Sequence, residues 1–187
     1  MVIISEAKDA ANLPAATLKR LSLLDQKTFD SSLRQLRQAM EQTNPQAALA
    51  PATLAAITAK LRRTGESAPS YWPTVLRFIQ FSSSRSALLA PPPGEKPRAL
   101  SAIVWVGLMR GIHEERRSIL FDEGNLENGE FTNCRIIFTQ HPVRLLRCTF
   151  RHCVFEFPAT DSPGPFLQKA GRLLLFSNLD SVSVPNL

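Results

Sequence analysis

No Cys-X-X-Cys pair occurs in this sequence, and its three cysteines, Cys134, Cys148 and Cys153, form an odd set. That excludes a disulfide framework and fits a reducing compartment. Long apolar runs are lacking as well. The longest, Ala99 to Met109, is interrupted by Ser101 and Gly107 and falls far short of the roughly 20 residues that span a bilayer. The first residues, Met-Val-Ile-Ile-Ser-Glu-Ala-Lys-Asp, carry neither a basic n-region nor a long apolar h-region, so no leader and a cytoplasmic location are expected. Also missing are GxSxG, HExxH, the P-loop and GxGxxG. Without a convergent constellation, the expectation is a chain that is not an enzyme and needs no cofactor.

What is present is a globular composition: 187 residues, 44% hydrophobic and 20% charged, enough for one ordinary core or two small ones. The net charge of +6 is uneven. Residues 1–97 hold 12 basic and 7 acidic side chains, and residues 98–187 hold 10 and 9. An excess of that size permits attraction to phosphate without requiring it.

Residues 14 to about 64 read as helical. Leu18, Leu21, Leu24, Phe29, Leu33, Leu36 and Met40 recur at spacings of three to five, close to one helical face, with Asp30 available as an N-cap if the segment breaks near Thr28. Asn44-Pro45 ends it. A second helix is expected from about Pro51 to Arg63, and a third opens at Tyr71-Trp72-Pro73 with Val75, Leu76, Phe78 and Ile79 apolar on more than one side. Residues 82–98, with Ser82-Ser-Ser and Pro91-Pro-Pro-Gly, read as a linker. The expected domains are therefore a helical lobe (1–81), a linker (82–98) and a second lobe (99–187). Periodicity leaves residues 99–109 open between helix and strand.

The second half carries a five-residue rhythm: Ile119-Leu-Phe-Asp-Glu, Gly124-Asn-Leu-Glu-Asn, Gly129-Glu-Phe-Thr-Asn, Cys134-Arg-Ile-Ile-Phe, Val143-Arg-Leu-Leu-Arg, Cys148-Thr-Phe-Arg-His and Cys153-Val-Phe-Glu-Phe. A short fixed period marks units that bury their apolar side by stacking on the next turn of chain. Leu126 and Leu145, Phe131 and Phe150, Cys134 and Cys153, and Ile136 and Phe155 are each 19 apart. Four pentads with one four-residue side, Thr139-Gln-His-Pro142, stack these pairs in register. The expected inward set is Phe121, Leu126, Phe131, Cys134, Ile136, Leu145, Cys148, Phe150, Cys153 and Phe155. The segment Phe166 to Phe176 is amphipathic, with Lys169 and Arg172 outward, and is assigned as a cap; Val182 and Val184 alternate as a final strand would.

Gly124-Asn-Leu126, Gly129-Glu-Phe131, Cys134-Arg-Ile136, Cys148-Thr-Phe150 and Cys153-Val-Phe155 resemble the pentapeptide-repeat family. More narrowly, the chain is similar to uncharacterised bacterial proteins with a short, degenerate version of that module near the C-terminus. The resemblance covers about residues 119–157 and implies a right-handed β-solenoid of about two coils, making the whole an α+β protein with a helical N-terminal lobe. Some family members imitate DNA in shape and negative charge. Arg135, Arg144, Arg147 and Arg151 on outward positions depart from that, and the function is not carried over.

Cys134, His141, Cys148, His152 and Cys153 have zinc-ligand chemistry, yet the cysteines occupy the small inward slot while the histidines diverge from them, so no metal is expected. Asp122, Glu123, Glu127 and Glu130 are expected as solvated charges rather than paired catalytic carboxylates. Ser5-Glu-Ala-Lys8 has the SxxK spacing without companion motifs. Lys19, Arg20, Lys27, Arg34, Arg37, Lys60, Arg62 and Arg63 are the candidate phosphate contacts, diluted by Asp25, Asp30 and Glu41 and without interleaved aromatics. The favoured expectation is non-catalytic scaffolding, with a protein partner or second copy covering the ends of a short stack, and Tyr71, Trp72 and Phe78 as its anchors. Nucleic-acid association is the alternative, an unrecognised enzyme is the third reading, and no membrane partner is expected.

Overall fold

Leu33, Leu36 and Met40 lie on one stripe of helix α1 (Gln26–Gln42), and all three are buried. The computed structural model describes residues 26–42, 58, 61, 66–86, 94–100 and 108–187. The expected helix end at Asn44-Pro45 lies outside the described residues. Asp30 does not cap helix α1. The Asp30 carboxylate accepts the backbone N–H of Ser70 at 2.7 Å, just ahead of helix α2 (Tyr71–Ser86), and so secures the start of a different helix. The expected second helix lies outside the described residues except for Thr58 and Leu61.

Helix α2 is buried on several sides because Val75, Leu76, Phe78, Ile79 and Phe81 cover most of its circumference. It includes Ser86, so Ser82 to Ser86, expected in the linker, belongs to the helix. Serine is tolerated there because hydroxyls fold back on the helix: Ser83 Oγ donates to the Gln80 carbonyl and Ser84 Oγ to that of Phe81.

Among the described residues the strands that follow are β1 (Arg98–Ala99), β2 (Met109–Arg110), β3 (His113–Glu115), β4 (Ser118–Phe121), β5 (Gly124–Glu127), β6 (Glu130–Thr132), β7 (Arg135–Phe138), β8 (Val143–Arg151) and β9 (Val154–Glu156). Helix α3 (Pro165–Phe176) and strand β10 (Ser181–Asn186) complete the α+β order. One parallel sheet runs β1-β4-β7-β9. The other is curled, with β5 parallel to the first half of the long strand β8, β6 to its second half, and β2 and β3 outside them. Among the described residues strand pairing begins at Arg98, so residues 98–99, 109–110 and 113–115, which lack the pentad rhythm, join the stack.

Registers explain the rhythm. Ser118 faces Arg135 and Arg135 faces Val154, offsets of 17 and 19 residues. Leu126 faces Leu145, Phe131 faces Phe150 and Ile136 faces Phe155, the pairs related by 19 in the sequence. The chain turns at Glu123, Asn128 and Asn133 and at His152 between strands, and at Arg147 within β8, each left-handed with φ of 49° to 56°. These sites are five residues apart, and each precedes the small residue of its pentad. Asn accepts that conformation readily. The small residue that follows has no room to grow: a Cβ on Gly129 would lie 2.8 Å from the Phe131 ring.

The ten expected inward side chains are all buried, none more than 1% exposed. Phe131 and Phe150 stack at 5.0 Å and 11°, and Phe121 meets both edge-on. The last edges of the two sheets are covered by the chain itself. Strand β10 pairs antiparallel with β8, setting Val182 on Phe150 and Val184 on Cys148. On β9, the Phe155 N–H donates to Ser83 Oγ of α2 at 3.0 Å. Helix α3 is thus not the principal cap. It packs against α2, where a Cβ on Gly171 would come within 2.9 Å of Leu76, and touches the strands through Phe166 beside Phe138.

Candidate functional site

The opposite edges, on β1, β2 and β3, have no strand beyond them among the described residues. Their hydrogen bonds show which groups are committed. Ile112 C=O accepts from Glu130 N–H and Arg116 N–H donates to Thr132 C=O, so even-numbered residues of β3 address β6. By alternation, the N–H and C=O groups of His113 and Glu115 point to the open side. Both residues are exposed. In the same way Gly111 N–H is used by Glu127 C=O and Leu100 N–H by Leu120 C=O, leaving Arg110 and Ala99 outward.

This end does not expose the aromatic rings that a truncated stack would leave bare. Glu114 sits in register over Phe131 and Arg98 over Ile119, and their side chains pair with each other. The Glu114 side chain is only 9% exposed. An ion pair therefore closes the column of rings, the polar terminal unit that a stacked fold needs for solubility. Beside it, Glu127 accepts from Arg110 Nε at 2.8 Å and pairs with Arg147, and Glu130 lies between His113 (3.5 Å) and Arg151 (3.8 Å). Glu127 is 8% exposed, which corrects its expected place as a solvated charge.

Tyr71, Trp72 and Phe78, expected as interface anchors, are buried inside the chain and are corrected on that point. Tyr71 Oη donates to the Leu61 carbonyl at 2.7 Å, and its ring meets Trp72 edge-on at 5.1 Å. Arg172 of α3 covers Trp72 at 5.7 Å. Their apolar area holds the helices to one another.

Of the eight basic candidates, Lys19, Arg20, Lys60, Arg62, Arg63 and the side chain of Lys27 lie outside the described residues. Arg34 pairs with Asp30 and donates to Ser70 Oγ at 3.0 Å, and Arg37 donates to Asp161 at 2.6 Å. Burial raises the Asp30 pKa, but the Ser70 hydrogen bonds and Arg34 outweigh it and hold the carboxyl below its ordinary value. Both described guanidiniums are thus engaged by carboxylates, which weakens a phosphate-binding face.

The cysteines are buried and free of disulfides. Cys134 and Cys153 are neighbours in the stack, with Val154 N–H donating to the Cys134 carbonyl. A hydrogen bond from Cys153 favours the Cys134 thiolate, and that same contact, with burial, pushes the Cys153 thiol up. Their sulfurs contact backbone carbonyls of Glu114, Thr132, Phe131 and Arg151. His152 is exposed at its turn. His141 instead meets Asp122, whose Oδ1 lies 2.6 Å from His141 Nδ1 and 2.9 Å from Thr139 Oγ1. Its hydrogen bond to His141 is the main cause of the lowered Asp122 pKa, and the same contact raises that of His141. No group of three or more His, Cys, Asp or Glu residues able to hold a metal ion occurs among the described residues.

Sequence reasoning missed this edge because residues 98–117 have no pentad pattern; alternating exposed charges in His113-Glu114-Glu115 were the available signal. Comparison of the chain with known protein families, curated proteins and solved structures finds no match.

Proposed function

We propose that this protein is a non-catalytic interaction or scaffolding module that receives a strand of another protein along the outer edge of β1, β2 and β3, and that its strand stack is a short right-handed β-solenoid of the pentapeptide-repeat type. The solenoid reading draws support from the 17- and 19-residue offsets and from left-handed turns at five-residue intervals. The interaction reading rests on one asymmetry. The edges of β8 and β9 are covered by β10 and Ser83, whereas the outward groups of Ala99, Arg110, His113 and Glu115 meet no further strand among the described residues. Edge charges discourage indiscriminate pairing, so a partner must bring complementary charge as well as free backbone.

Glu115→Pro tests this reading because it removes an outward donor while sparing the groups bonded to β6. Quantitative capture from extract of the native cell, with light scattering across protein concentration, should show a partner or a self-associated species that is present with the wild-type chain and lost with the variant. An identical set of captured proteins for the two chains, together with an unchanging monomer mass for both, would refute it. An unaltered unfolding transition checks that the variant retains its fold.

A further inference from the structure

A second feature lies away from that edge. Helices α1 and α2 and residues 157–161, which follow β9, border an open cleft of about 240 Å³. At roughly 30 Å³ per water, that is space for about eight waters or one small organic molecule. Arg37 and Glu41 come from α1 at i, i+4 spacing, and Pro73, Leu76, Arg77 and Gln80 from one face of α2. Phe157, Pro158 and Asp161 close the third side.

The apolar part is firmly held. Leu76 is 3% exposed, and Phe157 stacks on Phe138 at 5.4 Å and 11°. The charged part is loosely engaged. Arg77 Nε lies 3.8 Å from Glu41 Oε1, beyond hydrogen-bond distance, although its side chain is only 32% exposed. Arg37, 24% exposed, is held among the described residues by Asp161, whose side chain is 86% exposed. Two half-sequestered guanidiniums thus face one cavity, and the counter-charge of one sits in water.

We propose that this cleft binds a small organic carboxylate with an apolar body. The carboxylate takes the place of Asp161 at Arg37 and reaches Arg77, whose planar fork matches two oxygens. The body lies on Phe157 and Pro158, the half-buried apolar lining. Charge narrows the class: Arg37 and Arg77 are offset by Glu41 and Asp161, so the two carboxylates repel a dianionic phosphate more than a monoanion.

The test is an NMR titration of the full chain with benzoate, benzyl alcohol and inorganic phosphate, following the Nε–H signals of Arg37 and Arg77 and the amide of Phe157. Benzoate should saturate these shifts with a dissociation constant near or below about 1 mM, in keeping with the efficiency of small ligands. Benzyl alcohol and phosphate should each bind at least about tenfold more weakly, a gap of one hydrogen-bonded charge. Arg77→Gln should weaken benzoate at least about tenfold, and Asp161→Asn, which removes the competing internal anion, should tighten it several-fold. Glu115→Pro, on the distant edge, should leave benzoate binding unchanged, which separates this site from the strand-pairing surface. The proposal is overturned if no saturable shift appears at these residues by about 10 mM, well above the expected constant. Equal binding of benzyl alcohol would reduce the cleft to an apolar patch, and equal binding of phosphate to a general anion site. Should Arg77→Gln lose the dispersed spectrum of the folded chain, Asp161→Asn decides alone, since an exposed side chain carries no fold: unchanged or weaker benzoate binding refutes the competition it predicts.

Discussion

Truncating Phe150 to Ala removes the ring on which the others converge. Phe150 is 1% exposed, stacks on Phe131 at 5.0 Å, and meets Phe121 at 6.2 Å and Phe155 at 5.7 Å, both edge-on. Its strand is held on both sides, by β6 and by β10, so neighbouring backbone cannot collapse into the space. The cost should therefore lie at the full Phe→Ala level of about 3–5 kcal/mol, lost burial plus a residual cavity. For a chain of this length that corresponds to a fall of roughly 6–20 °C in Tm, a large share of a typical total stability of about 5–15 kcal/mol. Urea unfolding followed by circular dichroism measures it, with the midpoint falling and the slope m unchanged. A cycle with Phe131→Ala should give a coupling of about 0.5–1.5 kcal/mol from the stacked pair. A loss below about 1 kcal/mol at constant m, the size of an ordinary surface change, would refute the argument that these rings form the rigid centre of the stack.

Gly129→Ala should cost about 1–3 kcal/mol, because its Cβ would press on the Phe131 ring at 2.8 Å and on Leu126 at 3.0 Å. Gly171→Ala should cost less by the same urea measurement: its one close contact is a single Leu76 methyl at 2.9 Å, and Ala gains about 1 kcal/mol of helix propensity over Gly. The His141 ring should titrate above 6.5 by NMR, and Asp122→Asn should return it toward that value. A raised imidazole pKa stabilises below 6.5 and loses that effect as pH rises through the folded value, while the lowered carboxyl stabilises above 3.8 and loses it as pH falls, so the pair acts fully between 3.8 and 6.5. Cys134, Cys148 and Cys153 should resist a thiol reagent in the native protein and react together on unfolding, since all are buried whatever their thiolate fraction. Rapid native labelling of any one would show that its strand opens locally.

The repeat was legible because stacking turns a contact in space into an offset in sequence. Phe131 and Phe150 meet because parallel strands in register keep like beside like, and Gly129, Cys134 and Cys148 are small because the turn before each drives the next Cβ into the core. The first strand of each sheet was not legible. In that outer layer Arg98 of β1 and Glu114 of β3 stand over Ile119 and Phe131, since a terminal layer has a neighbour on one side only and must face water on the other. The serines of Ser82 to Ser86 read as a linker by composition, yet they continue a helix, and Ser83 accepts a hydrogen bond from β9.

Sequence alone therefore determined what depends on local chemistry and period: the α+β class, the helical stripe of Leu33, Leu36 and Met40, the inward set from Phe121 to Phe155, and the absence of a disulfide framework. Only tertiary structure decided the long-range matters. Asp30 secures the start of α2 across 40 residues of chain, Tyr71 and Trp72 join the interior instead of the surface, Arg37 finds its carboxylate at Asp161, and β10 rather than α3 covers the edge of β8. A polar side chain or strand edge has many admissible partners of the right chemistry, and which one it meets is set by where the packing of apolar faces brings the chain.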